Sequence, residues 1–183
     1  MTNQPKIAIG LGSNIGKREH FLQQAILNLQ GLQGLNALTL LKSHIMETPA
    51  LLPELAPKEW DMAYLNQVIV MGVSEPYLSN PELLLQAIKI IETDIGRVER
   101  GRWSPREIDI DIIAIEGLHW QSATLDIPHS RAHERAFVLQ PLCSLWADAM
   151  LANGLSALEN MLQLQDEIYA AEWAIQQSWG VQS

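Results

Sequence analysis

The segment from Glu107 to Ile115 reads Glu-Ile-Asp-Ile-Asp-Ile-Ile-Ala-Ile, and this pattern strongly restricts the secondary structure that the segment can adopt. On a β-strand, successive side chains point to opposite faces, so Ile108, Ile110 and Ile112 would share one face and Asp109 and Asp111 the other. The two carboxylates would then lie about 7 Å apart on a rigid element. The pattern predicts a strand that is buried on one face and carries paired acids on the other.

An Asp-x-Asp pair alone also describes any half-buried strand with a solvated face. Its surroundings favour a metal site that works with phosphate. Of the 12 Lys and Arg residues, six lie between Arg97 and Arg135, and all six are arginine. Arginine offers a planar fork for bidentate contact with phosphate. Carboxylate oxygens beside such groups suit Mg²⁺, which binds a few carboxylates together with water and substrate phosphates.

Composition limits the class of protein. With 183 residues and 48% hydrophobic residues, the chain predicts one domain spanning residues 1–183. A net charge of −9 argues against a nucleic-acid partner, because duplex binding needs a broad basic face. The single cysteine, Cys143, excludes internal disulfides and a cysteine-based zinc site.

No secretory segment and no apolar stretch long enough to span a bilayer is evident in the sequence. We therefore expect a cytoplasmic protein with small-molecule partners and no membrane partner. A monomer is the expected state, with a dimer as the alternative.

The order of the predicted elements indicates the fold class. Strands are expected at residues 6–12, near 37–47, at 63–73 and at 107–115. Helices are expected from about residue 21 to 29, from Asn80 to Glu92, and at 155–180 as a C-terminal extension. The order β-α-β-β-α-β predicts an α+β sandwich of the ferredoxin-like kind, in which helices cover one face of an antiparallel sheet.

Three further groups of residues are candidates for binding, each with a plainer interpretation. The glycine loop at residues 10–18 lacks the spacing of a phosphate loop, and a simple strand-to-helix turn is favoured over the wall of a pocket. Arg131 and Arg135 are spaced to share a helical face, so they form either an anion site or a solvated basic turn. Tyr64 and Asn66 could hold a flat heterocycle, although ordinary packing at strand ends is favoured.

Together these motifs resemble the 6-hydroxymethyl-7,8-dihydropterin pyrophosphokinase family over residues 7 to about 145. The most specific element is GRVERGRWSPREIDIDII at residues 96–113. It is supported by GSN at 12–14, ETPAL at 47–51, YLN at 64–66 and PHSRAHERAFVL at 128–139. The chain departs from the family pattern at Glu99, Ser104, Ala50 and Ser130, and none of these departures removes a predicted metal ligand.

The resemblance implies a role for each matching residue. Two Mg²⁺ ions would bind Asp109 and Asp111 between the ATP phosphates and the pterin hydroxymethyl group. Arg97 and Arg106 would contact the phosphates, while Arg102 and Trp103 belong to a mobile catalytic loop. The ATP-side positions are Glu92, Ile112, His129 and Arg135. The pterin-side positions are Thr48, Pro49, Leu51 through its backbone, Tyr64, Asn66 and Phe137.

The implied reaction is Mg²⁺-dependent transfer of diphosphate from ATP to the pterin alcohol, with release of AMP, in folate biosynthesis. The same carboxylates are also compatible with a Mg²⁺-dependent nucleotide hydrolase that uses water as nucleophile. A third interpretation is a non-enzymatic ferredoxin-like module whose arginines form an anion site. Tyr64 and Asn66, which a hydrolase of free nucleotide would not need, favour the pterin enzyme.

Overall fold

The structure is a computed structural model that describes residues 4–50, 52–101 and 103–166. Its centre is an antiparallel sheet in which strands of alternating or continuous apolar character pair along their length. Two α-helices lie between the strands and a third follows them. The strands are β1 (Lys6–Ser13), β2 (Leu35–Lys42), β3 (Met46–Thr48), β4 (Tyr64–Val73), β5 (Asp109–Ile115), β6 (Trp120–Gln121) and β7 (Asp126–Ile127), and the helices are α1 (Arg18–Gln30), α2 (Glu82–Ile95) and α3 (Ala136–Trp146).

The strand order in the main sheet is β2-β4-β1-β5, with β3 paired to β4, while β6 and β7 form a separate ribbon. The long strands therefore occupy the positions of a ferredoxin-like sheet, with β1 and β4 in the middle and β5 at one edge. This confirms the predicted α+β class with an antiparallel sheet and helices packed on it.

Helices α1 and α2 bury one face of the sheet. Ile7 and Ile9 of β1 are fully buried there, together with Leu22 of α1 and Ile88 of α2. Ile108, which directly precedes β5, and Ile110 and Ile112 of β5 join this core, as the alternation predicted. Asp109 and Asp111 alternate with them and are directed to the opposite face.

The opposite face is also covered, which the expectation of helices on one face missed. Val138 and Leu142 of α3 pack against Val68 of β4 and Ile113 of β5 in a second buried cluster. Part of the predicted C-terminal helix belongs to this layer: residues 157–166 are helical, and Ala157 is buried in the same cluster. The rest of that predicted helix lies outside the described residues.

Element boundaries differ from the predictions by a few residues. The predicted strand near 37–47 is two strands, β2 and β3, separated by residues 43–45. Asn80 lies outside α2, whose N-cap is Pro81, and the helix runs on to Ile95 before ending at Gly96 in the left-handed region. Within the described residues, no helix combines the length and the apolarity that crossing a bilayer requires.

Candidate functional site

A cleft of about 660 Å³ lies between the sheet and the segment that leads into α3. Its walls come from the arginine-rich segment between α2 and β5, here called the arginine loop, from the ends of β3, β4 and β5, and from the turn before α3. Among the predicted residues it is lined by Thr48, Pro49, Tyr64, Asn66, Trp103, Arg106, Asp109, Asp111, Arg135 and Phe137. A volume of this order is typical of a pocket for small molecules.

Part of the floor of the cleft is formed by Gly10 and Gly12, which carry no side chains. Gly10 pairs with Asp111 across the β1–β5 ladder, and Gly12 pairs with Asp109 on one side and Asn66 on the other. A Cβ atom at Gly12 would lie 3.5 Å from Asn66 Oδ1 and from the Tyr64 ring. The glycines therefore leave open the space between the two aspartates and the aromatic wall, which favours the pocket-wall interpretation of the glycine loop over a simple turn.

Two predicted phosphate-binding arginines converge on one carboxylate oxygen. Arg97 Nη1 donates to Asp109 Oδ1 at 2.8 Å, and Arg106 Nη1 donates to the same oxygen at 2.9 Å. Both guanidinium groups are largely buried beside the cleft. The sequence spacing placed these residues in one segment, and the structure brings their charges together.

Glu92, predicted to lie on the ATP side, is buried away from the cleft and holds Arg97 in place. Its side chain is 2% exposed. Glu92 Oε1 accepts from Arg97 Nη1 and from the backbone N–H of Ile110, and Oε2 accepts from Lys89 Nζ at 2.8 Å. It thus holds Arg97 against the edge strand, and it does not line the cleft.

The two aspartates differ in their electrostatics. Burial would raise the pKa of Asp109, but Arg106 and Arg97 outweigh it and hold this pKa below its ordinary value. Burial, and next the nearby Asp109 carboxylate, raise the pKa of Asp111 to about 6. The site therefore contains one carboxylate neutralised by arginine and one that would gain from a cation.

Arg100 takes no part in the cluster. It forms a two-pronged pair with Glu107, with Nη1 donating to Oε2 at 3.0 Å and Nη2 to Oε1 at 2.6 Å. This hydrogen bonding lowers the pKa of Glu107 to about 2. The pair closes the base of the arginine loop, and the Val98 N–H donates to the same carboxylate. Arg100 therefore stabilises the conformation of the arginine loop.

The tip of the arginine loop contains the family-atypical Ser104. The Ser104 hydroxyl is buried and donates to the Gly101 carbonyl at 2.7 Å. Between them Trp103 adopts a φ of 69°, which is uncommon for a bulky residue, and its side chain reaches the cleft. The predicted catalytic residue Arg102 lies outside the described residues.

The predicted pterin-side groups meet at the other end of the cleft. Asn66 Nδ2 donates to Thr48 Oγ1 at 2.8 Å, across the β3–β4 ladder. Tyr64 pairs with Thr48 in that ladder, and burial raises the pKa of its hydroxyl. Phe137, the first turn of α3, lines the cleft as well. Leu51, predicted to contribute its backbone, lies outside the described residues.

The remaining ATP-side positions divide into two groups. Arg135 lines the cleft, and its guanidinium carbon lies 5.9 Å from the centre of the Phe137 ring. Ile112 is buried in the core under α1 and α2, so only its backbone is available at the edge of the sheet. His129 donates its backbone N–H to the Ile113 carbonyl at 2.8 Å, and burial lowers the pKa of its imidazole.

Sequence reasoning missed two contributors. The sequence favours a turn at the glycine loop, whereas the position of Gly10 opposite Asp111 makes it part of the floor of the cleft. In the sequence Asn14 stands out only as part of the GSN motif, yet its amide joins three loops around the cleft. An asparagine directly after a strand, opposite an arginine-rich loop, was the available signal, but nothing in one sequence indicates its distant partners.

Comparison with known proteins agrees with this geometry. The model of the family described as 7,8-dihydro-6-hydroxymethylpterin-pyrophosphokinase (HPPK) matches residues 8–147. The 2-amino-4-hydroxy-6-hydroxymethyldihydropteridine pyrophosphokinase of Bacillus subtilis is 37% identical over 138 residues, which cover 75% of either chain. The protein of the same name from Methylorubrum extorquens is 34% identical over 143 residues, covering 78% of this chain and 84% of that protein.

Some relatives are much longer. The folate synthesis bifunctional protein of Chlamydia trachomatis is 38% identical over 149 residues, covering 79% of this chain but only 31% of the length of that protein. Among solved structures, wild-type Plasmodium falciparum HPPK-DHPS superposes with a TM-score of 0.58 at 12% identity, covering 88% of this chain and 41% of that one. At this identity the superposition shows a shared fold alone.

Proposed function

Because the chain belongs to the 7,8-dihydro-6-hydroxymethylpterin-pyrophosphokinase family, we propose that it transfers diphosphate from ATP to 6-hydroxymethyl-7,8-dihydropterin and releases AMP. The observation that carries this proposal is the composition of the cleft. One end holds Asp109 and Asp111 beside two arginines, and the other holds an aromatic ring and an amide. Such a site suits two substrates that meet end to end.

The side chains present fit divalent metal. Asp109 and Asp111 lie on one face of β5 at the cleft, and the raised pKa of Asp111 reflects a carboxylate without a matching cation. In the part of the chain that the structure describes, no group of three or more His, Cys, Asp or Glu side chains is suited to a metal. A site of two carboxylates matches Mg²⁺, whose remaining ligands are water and substrate phosphates. We propose that two Mg²⁺ ions bind here with ATP.

Bound Mg²⁺ would neutralise phosphate charge and make the attacking hydroxyl more acidic. The protein residues supply alignment. In the proposed reaction the hydroxymethyl oxygen attacks the β-phosphorus in line, the bond from that phosphorus to the α,β-bridging oxygen breaks, AMP departs, and the hydroxyl proton is lost. Such transfers depend mainly on positioning and on charge stabilisation.

Arg97 and Arg106 would provide the stabilisation. Their guanidinium groups are held by Asp109, and Arg97 also by Glu92, so their positions are set before substrate arrives. Preorganised donors of this kind act on charge that develops at the phosphate oxygens without moving during the reaction. Arg135 lies at the same cleft and is proposed to bind the ATP phosphates.

Tyr64 and Phe137 would hold the pterin ring between them, and Thr48 and Asn66 would bind its polar edge. Burial of Asn66 and its hydrogen bond to Thr48 fix the amide orientation. An aromatic ring combined with a fixed amide is the expected arrangement for a flat, polar heterocycle. The residues that line the cleft thus support both halves of the proposed reaction.

The deciding experiment mixes the protein with ATP, Mg²⁺ and 6-hydroxymethyl-7,8-dihydropterin and separates the nucleotide products. We expect AMP in a one-to-one ratio with pterin diphosphate, and no turnover when the pterin or the Mg²⁺ is omitted. ADP as the main product would show that the γ-phosphoryl moves. Consumption of ATP without pterin would establish the hydrolase instead.

A further inference from the structure

We propose that Asn14 is a positioning residue that ties the phosphate end of the cleft to the pterin end. The proposal rests on the function given above and extends it to a residue that touches neither substrate. Asn14 is 3% exposed and does not line the cleft. Its side chain nevertheless forms hydrogen bonds with the arginine loop at Arg106 and with the loop before β4 at Met62.

The first contact is with the arginine loop. The Arg106 N–H donates to Asn14 Oδ1 at 2.8 Å, and the Asn14 N–H donates to the Arg106 carbonyl at 3.2 Å. The regular β1–β5 ladder reaches only to the pair Gly12 and Asp109. Asn14 therefore extends the pairing beyond the first residue of β5, toward the arginine loop, and fixes the backbone of Arg106. Because Arg106 Nη1 donates to Asp109, this backbone contact sets where the guanidinium lies.

The second contact is with the loop before β4. Asn14 Nδ2 donates to the Met62 carbonyl at 3.2 Å. The adjacent Ala63 carbonyl accepts from Arg18 Nη1 at 2.8 Å, and Arg18 is paired in turn with Glu47 of β3. Residues 62 and 63 are thus held from both sides immediately before Tyr64, which begins β4. The Asn14 contact therefore fixes the backbone from which the Tyr64 side chain projects into the cleft.

Only an amide can make both contacts from this position. Oδ1 must accept from Arg106 and Nδ2 must donate to Met62, and a carboxylate has acceptors only. In Asn14→Asp the contact with Arg106 can persist, while the contact with Met62 becomes an oxygen facing an oxygen. In Asn14→Ala both side-chain contacts disappear, and only the backbone N–H bond to the Arg106 carbonyl is kept. Comparing the two substitutions therefore separates the effect of the contact with Met62 from that of the contact with Arg106.

The experiment measures binding of each substrate directly, so that it does not depend on turnover. Mg²⁺ with a non-hydrolysable ATP analogue is titrated by calorimetry, and 6-hydroxymethyl pterin by its fluorescence. For Asn14→Asp we expect about tenfold weaker pterin binding and nucleotide binding within about twofold of wild type, since tenfold corresponds to 1.4 kcal/mol. For Asn14→Ala we expect both affinities to fall about tenfold.

A matched control is available in Asn160, which is also 3% exposed. It donates to the Leu155 and Ser156 carbonyls and does not line the cleft. Asn160→Ala removes a comparable buried amide, so it should lower the midpoint of unfolding to a similar extent and leave both substrate affinities unchanged.

Two results would overturn the tie: equal loss of both affinities in Asn14→Asp, or affinities in Asn14→Ala that match those of Asn160→Ala. Failure of wild type to form AMP while both ligands still bind would reject the proposed reaction and leave the positioning result standing. Wild type that binds neither ligand would overturn both proposals.

Discussion

Asp109 and Asp111 share one face of β5, yet their pKa values are displaced in opposite directions. Asp109 is matched by two guanidinium groups, and Asp111 is half-buried beside the charge of Asp109. The folded protein therefore carries at neutral pH one acidic group whose ionisation opposes folding. Such a cost is typical of a site arranged for a ligand of opposite charge.

Replacing Asp111 with Asn should stabilise the protein in the absence of metal. The folded-state pKa of about 6 exceeds the ordinary 3.8, so ionisation of Asp111 above pH 6 costs stability in wild type. The difference between these two pKa values limits the gain in the free energy of unfolding to about 3 kcal/mol at pH 7.5. The gain should shrink as pH falls through 6 and be nearly absent near pH 4, where wild type is protonated. Denaturant unfolding at both pH values checks this, and a variant less stable than wild type at pH 7.5 would contradict it.

Asp109→Asn should change stability in the opposite direction. Because the pKa of Asp109 is lowered by Arg106 and Arg97, its charge stabilises the folded state at neutral pH and this contribution is lost in acid. We expect a lower midpoint of unfolding at pH 7.5 and a difference from wild type that narrows as pH falls below 4. Transfer should fall by about 10²-fold or more, because a proposed metal ligand and an arginine anchor are removed together. Near-normal turnover would reject the metal assignment.

Divalent metal should bind more weakly in acid. A proton on Asp111 competes with the cation, so affinity should decrease about tenfold per pH unit below about 6 and level off above it. Mn²⁺ titration followed by electron paramagnetic resonance, with Mg²⁺ as competitor, measures this without nucleotide. Asp111→Asn is the control, because it should bind more weakly at all pH values and lose the step near pH 6. Equal wild-type affinities at pH 5 and 7 would rule out the competition.

Glu92→Gln should impair nucleotide binding although Glu92 does not line the cleft. The change keeps the shape but removes the charge that holds Arg97 and Lys89. Breaking a buried pair on one side costs about 3–5 kcal/mol, and we expect a loss of stability near the lower value because Lys89 is exposed. The KM for ATP should rise several-fold and the KM for the pterin should stay within about twofold. A rise confined to the pterin KM would show that Glu92 acts elsewhere.

Gly12→Ala should weaken pterin binding with little effect on folding. The new methyl group would lie 3.5 Å from Asn66 Oδ1 and the Tyr64 ring, an ordinary contact distance, so the strand can accept it. It would however raise the floor of the cleft under the proposed pterin. We expect the pterin KM to rise about tenfold, equivalent to 1.4 kcal/mol. Gly10→Ala is the paired variant: its methyl group would lie 3.2 Å from Ile113 Cδ1, below Asp111 and away from Tyr64. An equal rise of the pterin KM in both variants would argue that the rise does not come from the methyl group next to Tyr64 and Asn66.

The parts of the fold that could be predicted are those determined by local pattern. Alternation placed Asp109 and Asp111 opposite Ile110 and Ile112, apolar periodicity indicated α1, and helix start and stop signals indicated α2. The second layer formed by α3 could not be predicted, because an apolar helix fits either face of a sheet. For the same reason the partners of Glu92, Arg100 and Asn14 were hidden, since hydrogen bonds between distant segments leave no periodic signal in one chain.

The convergence of Arg97 and Arg106 on Asp109 Oδ1 also determines what an arriving triphosphate encounters. Their side chains are only 15% and 22% exposed, so most of their hydration shell is lost when the chain folds. Each guanidinium donates to Asp109 through Nη1, so a nucleotide could bind its other N–H groups without displacing the carboxylate and would have few water molecules to remove. Selectivity for a polyanion would then arise because these arginines stay in place and have already lost most of their hydration, which a strongly charged ligand replaces better than a weakly charged one.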